Sequence, residues 1–257
     1  MGNKLTPIDE VKNSIWAYAN TSYCNTLPPD SIKAFAQTAC AYVSGNQFLS
    51  DLIRKGELHK PSLYVELMKS AQAQIFPDGN EGCLIPFWDK ALGLYKPVFV
   101  VMVRGFLRVI WESGKVSDIR TNIVYEGDGY EEWDDDEGTH FVHRPLLEPE
   151  TDRKMMRAYC RIKTVHGGKL FKSVNQSDIE RAQQASPSFK SKYSAWHTDP
   201  AQMWEKTAVR RIAKIAPTAK RLYAVENNDD TLEAPANREG LGPLTEEELL
   251  PFERGDK

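Results

Sequence analysis

The hydrophobic pattern of this 257-residue chain changes its period near residue 76, and this change constrains the fold most strongly. Before it, apolar residues recur at helical spacing, as in the stretch IKAFAQTACAYV at 32–43. After it, the short runs CLIPFW at 83–88 and YKPVFVVMV at 95–103 are typical of a strand hairpin. Helices followed by antiparallel strands favour an α+β fold over regularly alternating strands and helices.

The chain beyond this hairpin continues the mixture. The pattern predicts a helix at 104–114 and strands at 117–128, at 140–145 and within 158–174. Gly114 is a natural helix stop, and His166-Gly167-Gly168 is typical of a tight hairpin turn. We therefore expect a twisted antiparallel sheet with a hairpin and packed helices. Polar residues that can cap helix starts are Ser31, Ser62, Ser177 and Asp199.

Charge is segregated along the chain, although the net charge is only −3. Residues 126–137 carry eight acids and no Lys or Arg. Residues 151–222 carry sixteen Lys or Arg against five acids, a net excess of eleven positive charges. Such an excess predicts a surface that binds a polyanion, and solubilising charge spread around the fold is the alternative.

These patterns divide the chain into three regions. A helical N-terminal region at 1–75 is expected to supply oligomer contacts, and 76–222 forms the core. The last region, 223–257, is polar and acidic and contains three prolines, which predicts a disordered tail. No run approaches the roughly 18 apolar residues of a membrane span, so we expect no membrane association. The four cysteines form no Cys-x-x-Cys pair, which indicates reduced thiols and a cytoplasmic location.

The stretch DPAQMWEKTAVRRIAKIAP at 199–217 concentrates positive charge on one predicted helix. Asp199 caps its start, Pro200 suits the first helical position, and Pro217 ends it. At 100° per residue one face is apolar, comprising Ala201, Trp204, Ala208, Ile212 and Ile215. The opposite face carries Lys206, Arg210 and Lys214, which repel one another at this spacing. A partner with spaced negative charges explains this row better than a solvated face does.

The segment before this helix adds further groups that suit nucleic acid. SPSFKSKYSAWHTD at 186–199 contains Lys190, Lys192, Tyr193 and Trp196 among serines. Hydroxyl groups and lysines bind phosphate oxygens, and aromatic rings stack on bases. Packing of Tyr193 and Trp196 against the rest of the fold is the equally simple alternative.

The acidic segment is the one stretch that suggests an enzyme. DDDEGTHFVH at 134–143 gathers the acids and histidines that a metal-dependent nuclease needs. Consecutive acids cannot easily converge on one metal, and the flanking glycines predict a mobile loop. The chain has no Gly-x-x-x-x-Gly-Lys-Ser/Thr phosphate loop, which argues against an ATP-driven recombinase. A protein-interaction scaffold without catalysis is the remaining alternative.

Several motifs together resemble the RecT-type phage recombinase family. SKYSAWHTDPAQMWEKTAVRR is similar to its Ser-x-x-Ser-x-Trp, Asp and Met-x-x-Lys-Thr-x-x-Arg-Arg signature. CLIPF, VRGFLRVIWESGKVSDIRTNIVYEGD and HFVHRP resemble further family segments in the same order, from about residue 83 to 217.

The resemblance implies a single-strand DNA annealing protein that needs no ATP and no cofactor and contains no catalytic residue. Such proteins pair complementary strands in homologous recombination, as homo-oligomeric rings or filaments. Their fold is distantly like that of eukaryotic strand-annealing proteins. Candidate protein partners are a phage exonuclease and the host single-strand-binding protein.

The resemblance also implies DNA-contacting positions. Arg104 corresponds to the family's Lys before Gly, and Lys206 and Arg210 lie in its Lys-Thr-x-x-Arg-Arg motif. Further candidates are Lys190, Lys192, Tyr193, Arg211 and Lys214. Arg211 lies at the margin of the apolar face, where a structural anchor is the alternative role.

Overall fold

The computed structural model describes residues 5–20, 27–136, 138–147, 153–186, 188–190, 192 and 194–217. The chain divides into two compact units, one that ends at Val101 and one that begins at Met102. Each unit contains helices and antiparallel strands, which confirms the α+β class. The boundary near residue 76 and the tail stay predictions, and the tail lies outside the described residues.

The first unit is a set of helices with one strand hairpin. Its helices are α1 (Pro7–Ala19), α2 (Pro29–Gly45), α3 (Gln47–Lys55) and α4 (Lys60–Ala73). Its antiparallel strands are β1 (Gly82–Asp89) and β2 (Leu94–Val101), which confirms the predicted hairpin. Pro86 lies opposite Pro97 in this pair, so the two residues that cannot donate a ladder hydrogen bond share one position of the hairpin. The buried Glu66 accepts the Phe99 N–H at 2.8 Å and thereby ties α4 to β2.

The second unit is built around a three-stranded sheet. The strands of the unit are β3 (Val116–Tyr125), β4 (Gly129–Asp135), β5 (Gly138–Arg144), β6 (Met155–Thr164) and β7 (Lys169–Asn175). Its helices are α5 (Val103–Glu112), α6 (Gln176–Ala185), α7 (Ala195–Thr198) and α8 (Pro200–Ala213). The central sheet has the order β3-β6-β7, and β4 pairs with β5 in a separate hairpin. Gly114 and Gly167 adopt positive φ values of 67° and 85°, which confirms the predicted helix stop and turn.

Three of the four predicted helix caps are wrong. Ser31, Ser62 and Ser177 each lie inside the first turn of their helix. The His59 side chain caps α4, and the Asn175 side chain caps α6. A histidine is not among the usual capping residues, so local sequence rules do not find it. The fourth prediction is confirmed, since the Asp199 side chain accepts the Gln202 N–H at 3.3 Å.

The central sheet has one face that α8 covers and an opposite, open face that the β4–β5 hairpin covers only in part, over Tyr159. Alternate residues of β6, namely Ala158, Cys160 and Ile162, are buried on the side against which α8 packs. Burial raises the pKa of the Cys160 thiol to about 12, so this cysteine is a packing residue. The intervening residues, such as Tyr159 and Arg161, point to the other face because side chains alternate along a strand.

The acidic segment is a β-hairpin, and the predicted mobile loop is wrong. Residues Gly129–Asp135 pair in register with Gly138–Arg144. Gly138 has a φ of 124° at the turn, a conformation that suits glycine and allows a short connection. The glycines therefore shape a regular hairpin. No helix among the described residues is long and apolar enough to cross a membrane.

Candidate nucleic-acid interface

Helix α8 positions the predicted cation row, and its apolar face is mostly as expected. Trp204, Ala208 and Ile212 are buried against the central sheet and α5. Ile215 was expected on the same face, yet 48% of it is exposed. The helix ends at Ala213, so residue 215 no longer follows the helical rotation that the prediction assumed.

The cation row itself is not a continuous exposed line, and this part of the prediction is wrong. Arg210 is 7% exposed, Lys206 is half-buried, and Lys214 is exposed at the C-cap position. Helix α8 contacts β3, β6 and β7 together with α5 and α6, so its buried arc is wider than its apolar stripe. Arg210 falls within that wider arc. The arginine that the motif places in the middle of the row thus lies in the interior.

Arg211 holds α8 to neighbouring elements. Its guanidinium reaches both carboxylate oxygens of Asp178 on α6, at 2.9 and 2.7 Å. It also donates to the Ser173 carbonyl on β7 at 3.3 Å. Burial alone would raise the pKa of Asp178, but the Arg211 and Asn175 hydrogen bonds outweigh it and hold that pKa below its usual value. This geometry matches the anchoring role that the sequence left open for Arg211.

The remaining candidate residues lie on other elements of the second unit. Arg104 is exposed at the second position of α5, and α5 packs against α8. Lys190 and Lys192 are exposed in the segment that leads to α7, whereas Trp196 on α7 is buried. Tyr193 lies outside the described residues. Packing of α5 against α8 thus brings Arg104 into the same unit as the candidate residues at 190–214, which lie far from it in sequence.

Half-buried Glu205 on α8 faces the sheet. Burial raises its pKa, and a hydrogen bond from the Thr121 side chain on β3 partly offsets that effect. This acid therefore connects α8 to the sheet and lies apart from Lys214.

The open face of the central sheet carries cations that sequence inspection did not single out. In the register, Arg120 lies opposite Arg161, and Lys163 lies opposite Lys169. Arg157 occupies the same face farther along β6. Part of this face could be predicted from RAYCRIK, because its basic residues 157, 161 and 163 are separated by even numbers of positions and so lie on one face of a strand. Only the strand pairing shows that Arg120 and Lys169 lie on the same face.

The β4–β5 hairpin is fixed to this sheet by a buried carboxylate. The Asp128 side chain is 1% exposed and accepts hydrogen bonds from Arg153 Nη1 at 2.6 Å and from the Tyr125 and Leu146 N–H groups. Burial would raise the pKa of Asp128, but these bonds together hold it far below its usual value.

His143 extends this network across the hairpin. Its Nε2 lies 3.1 Å from Asp128 Oδ2, and its Nδ1 lies 3.0 Å from the Tyr159 hydroxyl oxygen. A carboxylate only accepts, so Nε2 donates to Asp128 and Nδ1 can accept from the hydroxyl. Farther along the hairpin, His140 Nε2 lies 2.8 Å from Asp135 Oδ1. Within the described parts of the chain, no three His, Cys, Asp or Glu side chains are grouped so as to hold a metal ion.

An aromatic cluster lies between the hairpin and the sheet. Phe141 on β5 stacks on Phe171 of β7 with ring centroids 4.3 Å apart, and both contact Tyr159 on β6. Tyr130 stacks on Tyr159 at 6.3 Å, and the Arg157 guanidinium lies 5.8 Å from the Tyr130 ring. Phe141 and Phe171 are half-buried, so this cluster also borders the open face.

The chain belongs to the RecT family, whose sequence pattern matches residues 35–239. It is similar to Protein RecT of Escherichia coli (strain K12), with 26% identity over 150 residues. That similarity covers 57% of this chain and 54% of the relative, so the chain spans about half the length of the curated relative. The family predicted from the ordered motifs is thus confirmed.

Proposed function

We propose that this chain binds single-stranded DNA and anneals complementary strands in homologous recombination, in the cytoplasm and without ATP. Membership of the RecT family is the observation that carries the proposal. The separation of charge supports it, because sixteen of the chain's 33 Lys and Arg residues lie in 151–222. A surface of this kind neutralises phosphates without reading base sequence, as annealing of any complementary pair requires.

The burial of individual cations refines the predicted DNA contacts. Arg104, Lys190, Lys192 and Lys214 are exposed, and Lys206 is half-buried, so these five side chains are the proposed phosphate contacts on the helical elements. Arg210 is buried and Arg211 is paired with Asp178, so both act on DNA through the position of α8. Tyr193 stays a candidate for base stacking.

The mechanism needs no general acid, general base or bound nucleotide. The protein neutralises phosphate charge and holds one strand extended, with its base edges exposed to a complement. Pairing and stacking of the new duplex then supply the driving free energy.

Assembly and partners complete the proposal. The chain acts as a homo-oligomeric ring or filament, to which the helical region 1–75 contributes contacts between copies. The duplex intermediate stays bound to the oligomer. A phage exonuclease supplies the single strand, and the host single-strand-binding protein is a further partner.

A fluorescence-quenching assay with complementary labelled oligonucleotides tests the annealing activity. We expect pairing to be much faster with the protein than without it, and equally fast in EDTA without nucleotide. The same samples on a denaturing gel should show full-length DNA. Shortening of the DNA in Mg²⁺ would favour a nuclease, and an unchanged pairing rate would overturn the proposal.

Electron micrographs test the assembly separately. Two complementary oligonucleotides added in sequence should produce rings or filaments that the first strand alone does not stabilise. Particles of a single copy under all conditions would contradict the oligomeric mechanism, whereas the annealing assay would still judge the activity.

A further inference from the structure

The open face of the β3-β6-β7 sheet assembles positive charge from three separate stretches of sequence. Arg120 comes from β3, Arg161 and Lys163 come from β6, and Lys169 comes from β7. We call these four side chains the basic sheet patch. Alternate residues along a strand are about 6.6 Å apart and paired strands about 4.8 Å apart, so the four charges occupy one compact area.

Like charges lie directly opposite each other at two places in this patch. Arg120 pairs with Arg161 in the register, and Lys163 pairs with Lys169. Like charges in such cross-strand positions destabilise a sheet. Asp118 alone among the strand positions of this face is acidic, with its carboxylate 3.3 Å from Arg120 and 3.1 Å from Arg161. One carboxylate leaves a strong net positive charge on the patch.

The patch is accessible within the described structure. The Arg120 side chain is 68% exposed, and Lys163 and Lys169 are exposed. Phe171 lies on the same face as the patch, opposite Arg161, and is half-buried beside Phe141. Cations beside aromatic rings are the combination that holds a single strand through phosphates and stacked bases.

The acidic hairpin places a carboxylate on the same face, next to the aromatic rings. Glu132 accepts a hydrogen bond from Ser173 Oγ at 3.0 Å and lies 3.6 Å from Arg157 Nη1. Ser173 and Arg157 are themselves residues of the open face. A carboxylate of the chain therefore occupies one end of this surface and marks where the accessible positive charge ends.

We infer that the basic sheet patch, bordered by Phe171 and Phe141, is a phosphate-binding path for single-stranded DNA. The inference rests on the proposed function and adds a surface that lies apart from the α8 cation row. The strand crosses β3, β6 and β7 with its phosphates on Arg120, Arg161, Lys163 and Lys169. The hairpin limits the path at its acidic end.

The test is the salt dependence of binding to a labelled oligothymidine, measured by fluorescence anisotropy for wild type and for the double variant Lys163→Gln/Lys169→Gln. Each phosphate contact contributes about 0.7 to the slope of log affinity against log salt. Loss of two contacts should reduce the slope by about 1.4 and weaken binding roughly 25-fold at 0.1 M salt.

A matched control removes the same charge from elsewhere in the basic region. Lys172 lies on β7 with its side chain on the other face of the sheet, and Lys154 precedes β6 at the end far from Lys163. Lys154→Gln/Lys172→Gln should keep the wild-type slope and affinity. Lys163→Arg/Lys169→Arg, which preserves the charge, should also bind as wild type does.

The outcomes separate this inference from the proposed function. A wild-type chain that binds no single-stranded DNA overturns both. Wild-type binding with an unchanged slope in Lys163→Gln/Lys169→Gln overturns the inference alone. Equal weakening in the control pair also overturns it, because only overall charge would then matter.

If the Gln variant changes the sedimentation of the DNA-free protein and leaves DNA affinity unchanged, the patch joins copies of the chain and the inference fails. Unaltered circular dichroism of each variant shows that the fold is retained.

Discussion

Two basic regions of the second unit obtain their positive charge in different ways. On α8, four cations lie within nine residues of sequence, at positions 206, 210, 211 and 214. On the open sheet face, the cations come from positions 120 to 169 and meet through strand register. Packing divides the first group, since Arg210 is buried and Arg211 is paired with Asp178, whereas it brings the second group together. Closeness in sequence is therefore a poor guide to a shared charged surface.

Arg210 is buried in the second unit, and its removal should have the largest effect. Arg210→Ala should lower the free energy of unfolding by about 3 kcal/mol, because removing a long side chain that is 7% exposed leaves a cavity in the interior. Urea denaturation measures this change. Lys214→Ala, on an exposed residue of the same row, should change stability by less than about 0.5 kcal/mol. A stable Arg210→Ala variant with weakened DNA binding would show that Arg210 contacts DNA directly.

The open face depends on the buried Asp128 network that fixes the hairpin. Asp128→Asn should cost about 2 kcal/mol at pH 7, because Arg153 and two backbone N–H groups lose a charged acceptor. The pKa of Asp128 is depressed in the folded chain, so its stabilisation is complete above the unfolded pKa of about 3.9 and is lost as pH falls below it.

Urea denaturation at pH 7 and at pH 3 tests whether the stabilisation by Asp128 decreases as the pH falls. The stability gap between wild type and Asp128→Asn should narrow on acidification. A gap that stays constant between these pH values would show that the carboxylate charge does not hold the hairpin.

The Arg211–Asp178 pair predicts a smaller effect. A double-mutant cycle with Arg211→Gln and Asp178→Asn should give a coupling free energy of about 1 kcal/mol, since the pair is bidentate while the Arg211 side chain is 40% exposed. Thermal unfolding of the four proteins measures it. A coupling free energy of zero would mean that Arg211 does not anchor α8 through Asp178. Arg211 would then be a candidate DNA contact, and packing would divide the α8 cations less than the structure indicates.

The smallest expected effect is a gain in DNA affinity on the sheet face. Asp118→Asn should tighten binding to oligothymidine about two- to threefold, because Arg120 and Arg161 lose a competing carboxylate. Anisotropy titration at low salt detects this change, and the gain should disappear at 0.5 M salt. Weaker binding would mean that Asp118 positions the arginines for DNA.

Much of the fold could be predicted from local patterns. The β1–β2 hairpin, the turn at Gly167 and the stop at Gly114 follow from residues that act within a few positions of themselves. The family was likewise predicted from short motifs that follow one another in the expected order. Of the acidic hairpin only the second strand was predicted, at 140–145. The first strand was missed because acidic residues have low strand propensity, and the hairpin is stabilised by Asp128 and by rings on other strands.

The sequence by itself determined the α+β class, the positions of most helices and strands, and the family. These depend on period, turn residues and motif order, which are local properties. Only the tertiary structure decided that Arg210 is interior and that Lys163 meets Lys169 on an open face. Burial depends on every element that packs against a side chain, and register pairs residues far apart in the chain, so neither can be determined within one stretch of sequence.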